Sequence, residues 1–243
     1  MDQISVIAAS GLSARMQSLE LLANNMANAS TNGFKGDGEF YTVYTSEAAD
    51  ADESGVPTTL PMIQRQWTDF AQGLLEPTNN PLDFGLSGKG LFTIQGPSGP
   101  LYTRNGNFHI SADGTLLASD GLPVLLRDDQ PVKLDPTLPV EVSPDGEVKQ
   151  QGQTLGQLKL VQFKDTSVLL KQGNNYYRNI GDQEPAEAVN TEVHQGNIEG
   201  SNVSAAHGAV RLVGVMRQFE MMQKAISISN DMGRKAIEEV AKL

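Results

Sequence analysis

Both ends of this chain are apolar at heptad spacing, and neither has an obvious partner except the other. Near the start, Leu12, Leu19 and Met26 stand seven residues apart, with Ala8 and Leu22 on the adjacent row. Near the end, Ala205, Leu212, Phe219, Ile226, Gly233 and Val240 form one row, and Gly208, Val215, Met222, Ser229 and Ala236 form a second. Such spacing makes a helix with one narrow apolar seam. A lone helix of this kind cannot bury its seam. The two ends therefore pair with each other, with neighbouring copies, or both. That requirement points to an assembly protein rather than an enzyme.

The charge is placed to match. The net charge is −11, yet acids and bases cancel within residues 1–35 and again within 190–243. The surplus lies in the middle, which stays solvated while the neutral ends can pack closely. Nucleic-acid binding needs a basic face, so it is not expected. The chain has no Cys, which removes disulfides, thiolate nucleophiles and Cys-ligated metals together. No apolar run is long enough for a membrane-spanning helix. The first 30 residues lack the basic start and apolar core of a cleavable signal peptide.

The spacing predicts a helix over residues 3–28, stopped by Asn28-Ala29-Ser30-Thr31-Asn32-Gly33, where Gly33 can take positive φ. Residues 36–60 have weak periodicity, and Ser46 to Thr59 is polar and acidic, which reads as a loop or arm. From 82 to 190 short β-type runs alternate with turn signals. Asn105-Gly106, Asp113-Gly114, Asp120-Gly121 and Asp145-Gly146 indicate closely stacked hairpins. Ser201 or Asn202 is a plausible N-cap for a last helix reaching about Val240. The expected class is α+β: long N- and C-terminal helices pairing as a coiled coil, with a central all-β domain. The corresponding divisions are 1–81, 82–190 and 191–243.

A search for reactive constellations yields no catalytic set. His109, His194 and His207 match no metal spacing. Asp83-Phe84-Gly85 lacks the other kinase loops, and Gly88-Lys89-Gly90 lacks the frame of a phosphate loop. Asp50, Asp52, Ser54 and Gly55 resemble the start of a calcium loop, but position twelve would be Pro61 instead of Glu. No cofactor, metal or small-molecule substrate is expected.

One motif does stand out. Asn24, Asn25 and Asn28 crowd the end of the first helix, although Asn is a poor interior helix former. A frayed, Asn-capped end is one reading. Side-chain amides that fix helix register are the other. The candidate assembly surface is therefore Leu12, Leu19, Leu22, Asn24, Asn25, Met26 and Asn28 at the start. At the end it comprises Leu212, Val215, Phe219, Met222 and Ile226.

The segment Leu22 to Lys35 resembles the N-terminal signature of the flagellar axial proteins, the rod and hook family. The likeness continues through Asp69-Phe70-Ala71-Gln72-Gly73-Leu74-Leu75-Glu76-Pro77, Gly88-Lys89-Gly90-Leu91-Phe92 and Tyr102-Thr103-Arg104-Asn105-Gly106-Asn107-Phe108. It resumes at Gln195-Gly196-Asn197-Ile198-Glu199-Gly200-Ser201-Asn202-Val203 and Arg217-Gln218-Phe219-Glu220. The chain departs from the pattern at Ala206-His207-Gly208, where acidic residues usually open the helix. The resemblance implies a structural subunit of the basal-body rod, most like the proximal rod type and next the distal. It implies unfolded export through the flagellar export apparatus without signal cleavage. The implied partners are copies of itself and other rod and hook-basal-body proteins. The implied location is the periplasm-spanning rod. A secreted β-sandwich that binds glycan is the competing class, which the single Trp67 and few aromatics disfavour.

Overall fold

A computed structural model describes residues 3–45 and 59–240. The acidic stretch expected to form an arm, and the calcium-loop-like Asp50 to Gly55 within it, lie outside the described residues, apart from Thr59, which opens a strand. The chain divides into two compact units. One comprises 1–27, 37–67 and 204–243; the other comprises 28–36 and 68–203.

In the first unit, helix α1 spans Gln3–Ala27 and helix α2 spans Ala205–Val240. The strands Asp37–Thr45 and Thr59–Thr68 pair as a two-stranded sheet. The helices run antiparallel. A Cβ added at Gly11 would lie 3.3 Å from Met222 Cε, and one added at Gly208 would lie 2.9 Å from Met26 Cγ. Glycine at these two positions lets a methionine from the facing helix approach the backbone. Ser204 caps α2, its Oγ accepting from the His207 amide at 3.3 Å. The expected caps are occupied otherwise: Ser201 Oγ accepts from the Val203 amide, and Asn202 holds backbone groups of the β unit.

The coiled-coil expectation is corrected here. The fold is predominantly antiparallel β with one helix at each end, and its strands begin at Asp37, far ahead of residue 82. The row that α1 buries is also not the predicted apolar one. On α1 the buried positions are Gly11, Ala14, Ser18, Leu21, Leu22 and Asn25, while Leu12, Leu19 and Met26 are half-buried. The reason is a second packing partner. The strand Asp37–Thr45 lies against α1, with Ser18 Oγ bonded to Glu39 and Asn25 to Asp37, so burial moves from the predicted apolar row to the neighbouring row of Gly11, Ser18 and Asn25. The strand itself is rich in β-formers, Phe40-Tyr41-Thr42-Val43-Tyr44-Thr45.

The second unit is built on a six-stranded sheet. Its order is Leu169–Gly173, Tyr176–Asn179, Gly99–Thr103, Leu91–Gly96, Leu160–Gln162 and Ala186–Glu187. Alternate residues face opposite ways along a strand, and both faces here are covered. Phe92, Ile94, Leu101, Leu160 and Tyr176 join the larger core with Phe84, Phe108 and Val124. Their neighbours Leu91, Tyr102, Val161 and Tyr177 join a second core with Phe163 and Leu169. The turn glycines Gly114, Gly121 and Gly146 have φ of 80°, 85° and 80°, as the dipeptides predict. Gly106 does not take positive φ; a Cβ there would lie 1.8 Å from the Phe84 carbonyl oxygen.

The way into this unit runs beside the way out. Leu75–Pro77 pairs with Asn197–Glu199, and Phe84–Ser87 pairs with Glu192–Gln195, both antiparallel. That double pairing positions the charged residues described next.

Candidate functional site

At the point where the β unit closes, three charged side chains are buried together. Lys35 and Glu199 have fully buried side chains, and that of Arg104 is 2% exposed. Lys35 Nζ donates to Glu199 Oε1 at 2.6 Å and to the Ala71 carbonyl at 2.6 Å. Arg104 Nη1 donates to Glu199 Oε2 at 3.1 Å and to the Leu86 carbonyl at 3.4 Å, and Nη2 donates to the Gly88 carbonyl. The Gly73 amide completes the carboxylate's shell, donating to Oε1 at 2.8 Å. Two cations thus share one anion. Burial lowers the pKa of both Lys35 and Arg104, and the Glu199 carboxylate opposes that shift.

Backbone and amide bonds surround the cluster. The Gly33 amide donates to the Glu199 carbonyl at 2.7 Å. Gly33 sits at φ 67°, where a Cβ would lie 2.4 Å from the Asn105 nitrogen. Asn202 accepts from the Gly36 amide at 2.8 Å and donates to the Asp69 and Ala71 carbonyls at 2.8 and 3.2 Å. Lys171 Nζ donates to the Lys35 carbonyl at 2.7 Å and stands 4.4 Å from the centre of the Phe34 ring. A set of this kind gives little net stability, because desolvation offsets the Coulombic gain. It does penalise any arrangement that leaves one member unpaired. Its physical role is to hold five segments, at Lys35, Ala71–Gly73, Leu86–Gly88, Arg104 and Glu199, in one register.

The helical unit has a pin of its own. The Glu39 side chain is 1% exposed, accepting from Ser18 Oγ of α1 at 2.8 Å and from Arg211 Nη2 of α2 at 3.1 Å. At the end of α1, Asn25 Nδ2 donates to the Asp37 carbonyl at 2.7 Å, and Asn25 Oδ1 accepts from the Asp37 amide at 2.9 Å. Glu39→Ala should destabilise this unit by about 1–3 kcal/mol, because the Ser18 hydroxyl and Arg211 lose their shared acceptor. Hydrogen exchange should show it as faster opening of α2 around Arg211, with the β core unchanged. Equal protection in the variant would remove the pin.

The proposed assembly residues fall into three groups. On α2, Val215 is buried, and Leu212, Phe219, Met222 and Ile226 are half-buried on the stripe that faces α1. On α1, Leu22 and Asn25 are buried, while Leu12, Leu19 and Met26 are half-buried and Asn24 is exposed. Asn28 belongs to the β unit, where its Oδ1 accepts from the Thr31 hydroxyl at 3.3 Å. Of the three asparagines, Asn25 fixes position through the start of a strand rather than through the opposing helix. Sequence reasoning quoted Lys35, Arg104 and Glu199 only as members of motifs. The available signal was a charged residue set close to apolar or glycine residues in each motif: Lys35 after Phe34, Arg104 before Asn105-Gly106, and Glu199 between Ile198 and Gly200.

Comparison with known proteins bears on the same segments. Residues 7–35 match the family model described as flagella basal body rod protein. Residues 85–150 match the flagellar hook protein FlgE/F/G D1 domain, and residues 194–239 match the flagellar basal body rod FlgEFG protein C-terminal. The chain is 32% identical over 237 residues to the flagellar basal-body rod protein FlgF of Caulobacter vibrioides, covering 96% of this chain and 97% of that protein. It belongs to the flagellar basal-body rod protein family. The FlgG rod protein of Buchnera aphidicola subsp. Schizaphis graminum is 30% identical over 253 residues, covering 94% and 96%. The FlgF rod protein of Mesorhizobium japonicum is 30% identical over 231 residues, covering 93% and 94%. Each of the three matched segments contributes one member of the buried cluster: Lys35 from the first, Arg104 from the second and Glu199 from the third. What the family models treat as separate pieces is, in the folded rod protein, one electrostatic closure.

Proposed function

We propose that this chain is a structural subunit of the bacterial flagellar basal-body rod, assembled through its terminal helices and working by stiffness rather than catalysis. The observation that carries the reading is the end-to-end identity to rod proteins, 32% over 96% of the chain. The buried cluster and the Glu39 pin support it, since a shaft under torque needs subunits whose segments cannot slip. A proximal position is our finer reading, favoured by the FlgF protein of Caulobacter vibrioides. Export without a cleaved signal, self-association and contacts with other rod and hook-basal-body proteins belong to the same proposal.

Within the chain, α1 already covers the stripe of Leu212, Val215, Phe219 and Met222. The surface offered to neighbours is then the other apolar side of α2. Val210, Val213, Met221, Ile228 and Met232 are exposed there by 76%, 49%, 63%, 52% and 66%. Aspartate at both Val213 and Met221 should leave the unfolding temperature unchanged and abolish incorporation into basal bodies and motility. Phe219→Asp should also loosen the helix pair, because its charge enters a half-buried seam. Complementation of a strain lacking this protein, with basal bodies isolated from each variant, is the test. Normal rods containing the Val213→Asp/Met221→Asp protein would sink the reading.

A further inference from the structure

All eight methionines of the chain fall in the helical unit, and none lies between Met62 and Met216. The chain has no Cys. The β unit thus holds no sulfur, and an oxidant that attacks sulfur acts on the helical unit alone. Within that unit the methionines of α1 and α2 stand in two settings. Met16, Met216, Met221 and Met232 are exposed by 55%, 46%, 63% and 66%. Met26 and Met222 are half-buried, each seated on a buried glycine of the facing helix.

A Cβ at Gly11 would lie 3.3 Å from both Sδ and Cε of Met222. A Cβ at Gly208 would lie 2.9 Å from Met26 Cγ and 3.5 Å from its Sδ. In both seats the sulfur stands where a methyl group on the glycine would touch it. The seats lie about 22 Å apart along α1, so they hold the helix pair at two well-separated points. Oxidation to the sulfoxide puts a polar oxygen on that sulfur. The oxygen has no space on the glycine side. Turned elsewhere, it either enters the apolar seam without a donor, which is costly, or draws the side chain out to water and empties the seat.

We propose that Met26 and Met222 form an oxidation-sensitive site that holds the helix pair shut: sulfoxide at these seats opens α1 from α2 and leaves the β unit folded. In the step, the thioether sulfur takes one oxygen atom from hydrogen peroxide. The O–O bond breaks and an S–O bond forms; sulfur is oxidised, and the peroxide is reduced and leaves as water. Sulfoxide reductases reverse the change, one enzyme for each epimer.

Full-length protein is treated with hydrogen peroxide, and oxygen uptake at each methionine is followed by peptide mass mapping alongside hydrogen exchange. Met26 and Met222 should gain oxygen about tenfold more slowly than the four exposed residues, since the seats must open first. Amide protection across α1 and α2 should fall about tenfold in step with them, while the β core keeps its protection. The two sulfoxide reductases should restore it. Met26→Leu/Met222→Leu, which keeps every other methionine, should hold its protection under the same treatment. Met16→Leu/Met216→Leu/Met221→Leu/Met232→Leu should lose it as the native chain does, and this variant decides the matter if leucine does not fit the seats. Equal oxidation rates at seated and exposed residues, peroxide-induced loss of protection in a folded Met26→Leu/Met222→Leu protein, or a fully oxidised chain with intact helix protection would each overturn the site. Every readout is taken on the isolated chain, so its failure leaves the rod reading standing, and failure of the complementation test leaves the seats standing.

Discussion

Glu199→Gln should cost the β unit about 3–5 kcal/mol, because it leaves two buried cations without an anion. The amide would keep its carbonyl for Arg104, but its nitrogen would stand where Oε1 accepts from both Lys35 Nζ at 2.6 Å and the Gly73 amide at 2.8 Å in the native chain. For a protein of this size that loss lowers the unfolding midpoint by roughly 10 °C. Lys35→Met should be much milder, below about 2 kcal/mol, because Arg104 and Glu199 remain a neutral pair. Thermal and urea unfolding of the full chain checks both values. If Lys35→Met proves as damaging as Glu199→Gln, the shared-anion account is wrong and simple packing explains the site.

The sign of the pH dependence follows from the same geometry. Burial holds the Lys35 pKa below its ordinary 10.5, so its folded value lies beneath its unfolded one. Between those two values the unfolded chain binds more protons, and stability from this group rises with pH. The contribution is complete above 10.5 and is lost as pH falls through the lowered folded value. The difference in stability between the native chain and Lys35→Met should therefore shift in favour of the native chain as pH climbs toward 10.5. A difference that stays flat across that window would mean that Lys35 titrates as it does in water.

Both helices were legible because apolar spacing of three and four residues needs no knowledge of a partner. The row that α1 buries was not. Ser18 and Asn25 are polar, and only the strand beginning at Asp37 makes them interior positions. That strand was itself hidden, since a two-stranded sheet leaning on a helix imposes little alternation on its sequence. The buried cluster was the least legible part. Lys35 and Glu199 are 164 residues apart, and no local rule pairs one lysine with one glutamate at that distance. The motifs revealed that their segments matter, whereas the reason lay in what those segments share once folded. The expected N-cap of α2, Ser201 or Asn202, failed for a related cause, since Ser204 takes that place. Asn202 has a side chain suited to capping, but the amide is committed to Gly36, Asp69 and Ala71.

The Xaa-Gly dipeptides look alike in sequence and separate in the fold, and substitution should show it. Gly121 has φ 85° with nothing within 4 Å of an added Cβ, so only its backbone conformation constrains it. Gly121→Ala should cost about 1–2 kcal/mol, and Gly121→Asn less, since asparagine tolerates the left-handed region. Gly106 is constrained by space. Its carbonyl accepts from the Phe84 amide at 2.9 Å, and an added Cβ would lie 1.8 Å from the Phe84 oxygen and 3.1 Å from the Phe92 ring. Any Cβ forces those backbones apart, strains the core around Phe92 and weakens the hydrogen bond. Gly106→Ala should therefore cost about 2–4 kcal/mol. Asparagine should give no relief at Gly106, because its left-handed tolerance is irrelevant where φ is not positive and its side chain is larger. Urea unfolding of the four variants decides the matter. If Gly106→Asn is milder than Gly106→Ala, backbone conformation governs that loop after all, and the close approach to Phe84 is not what requires glycine.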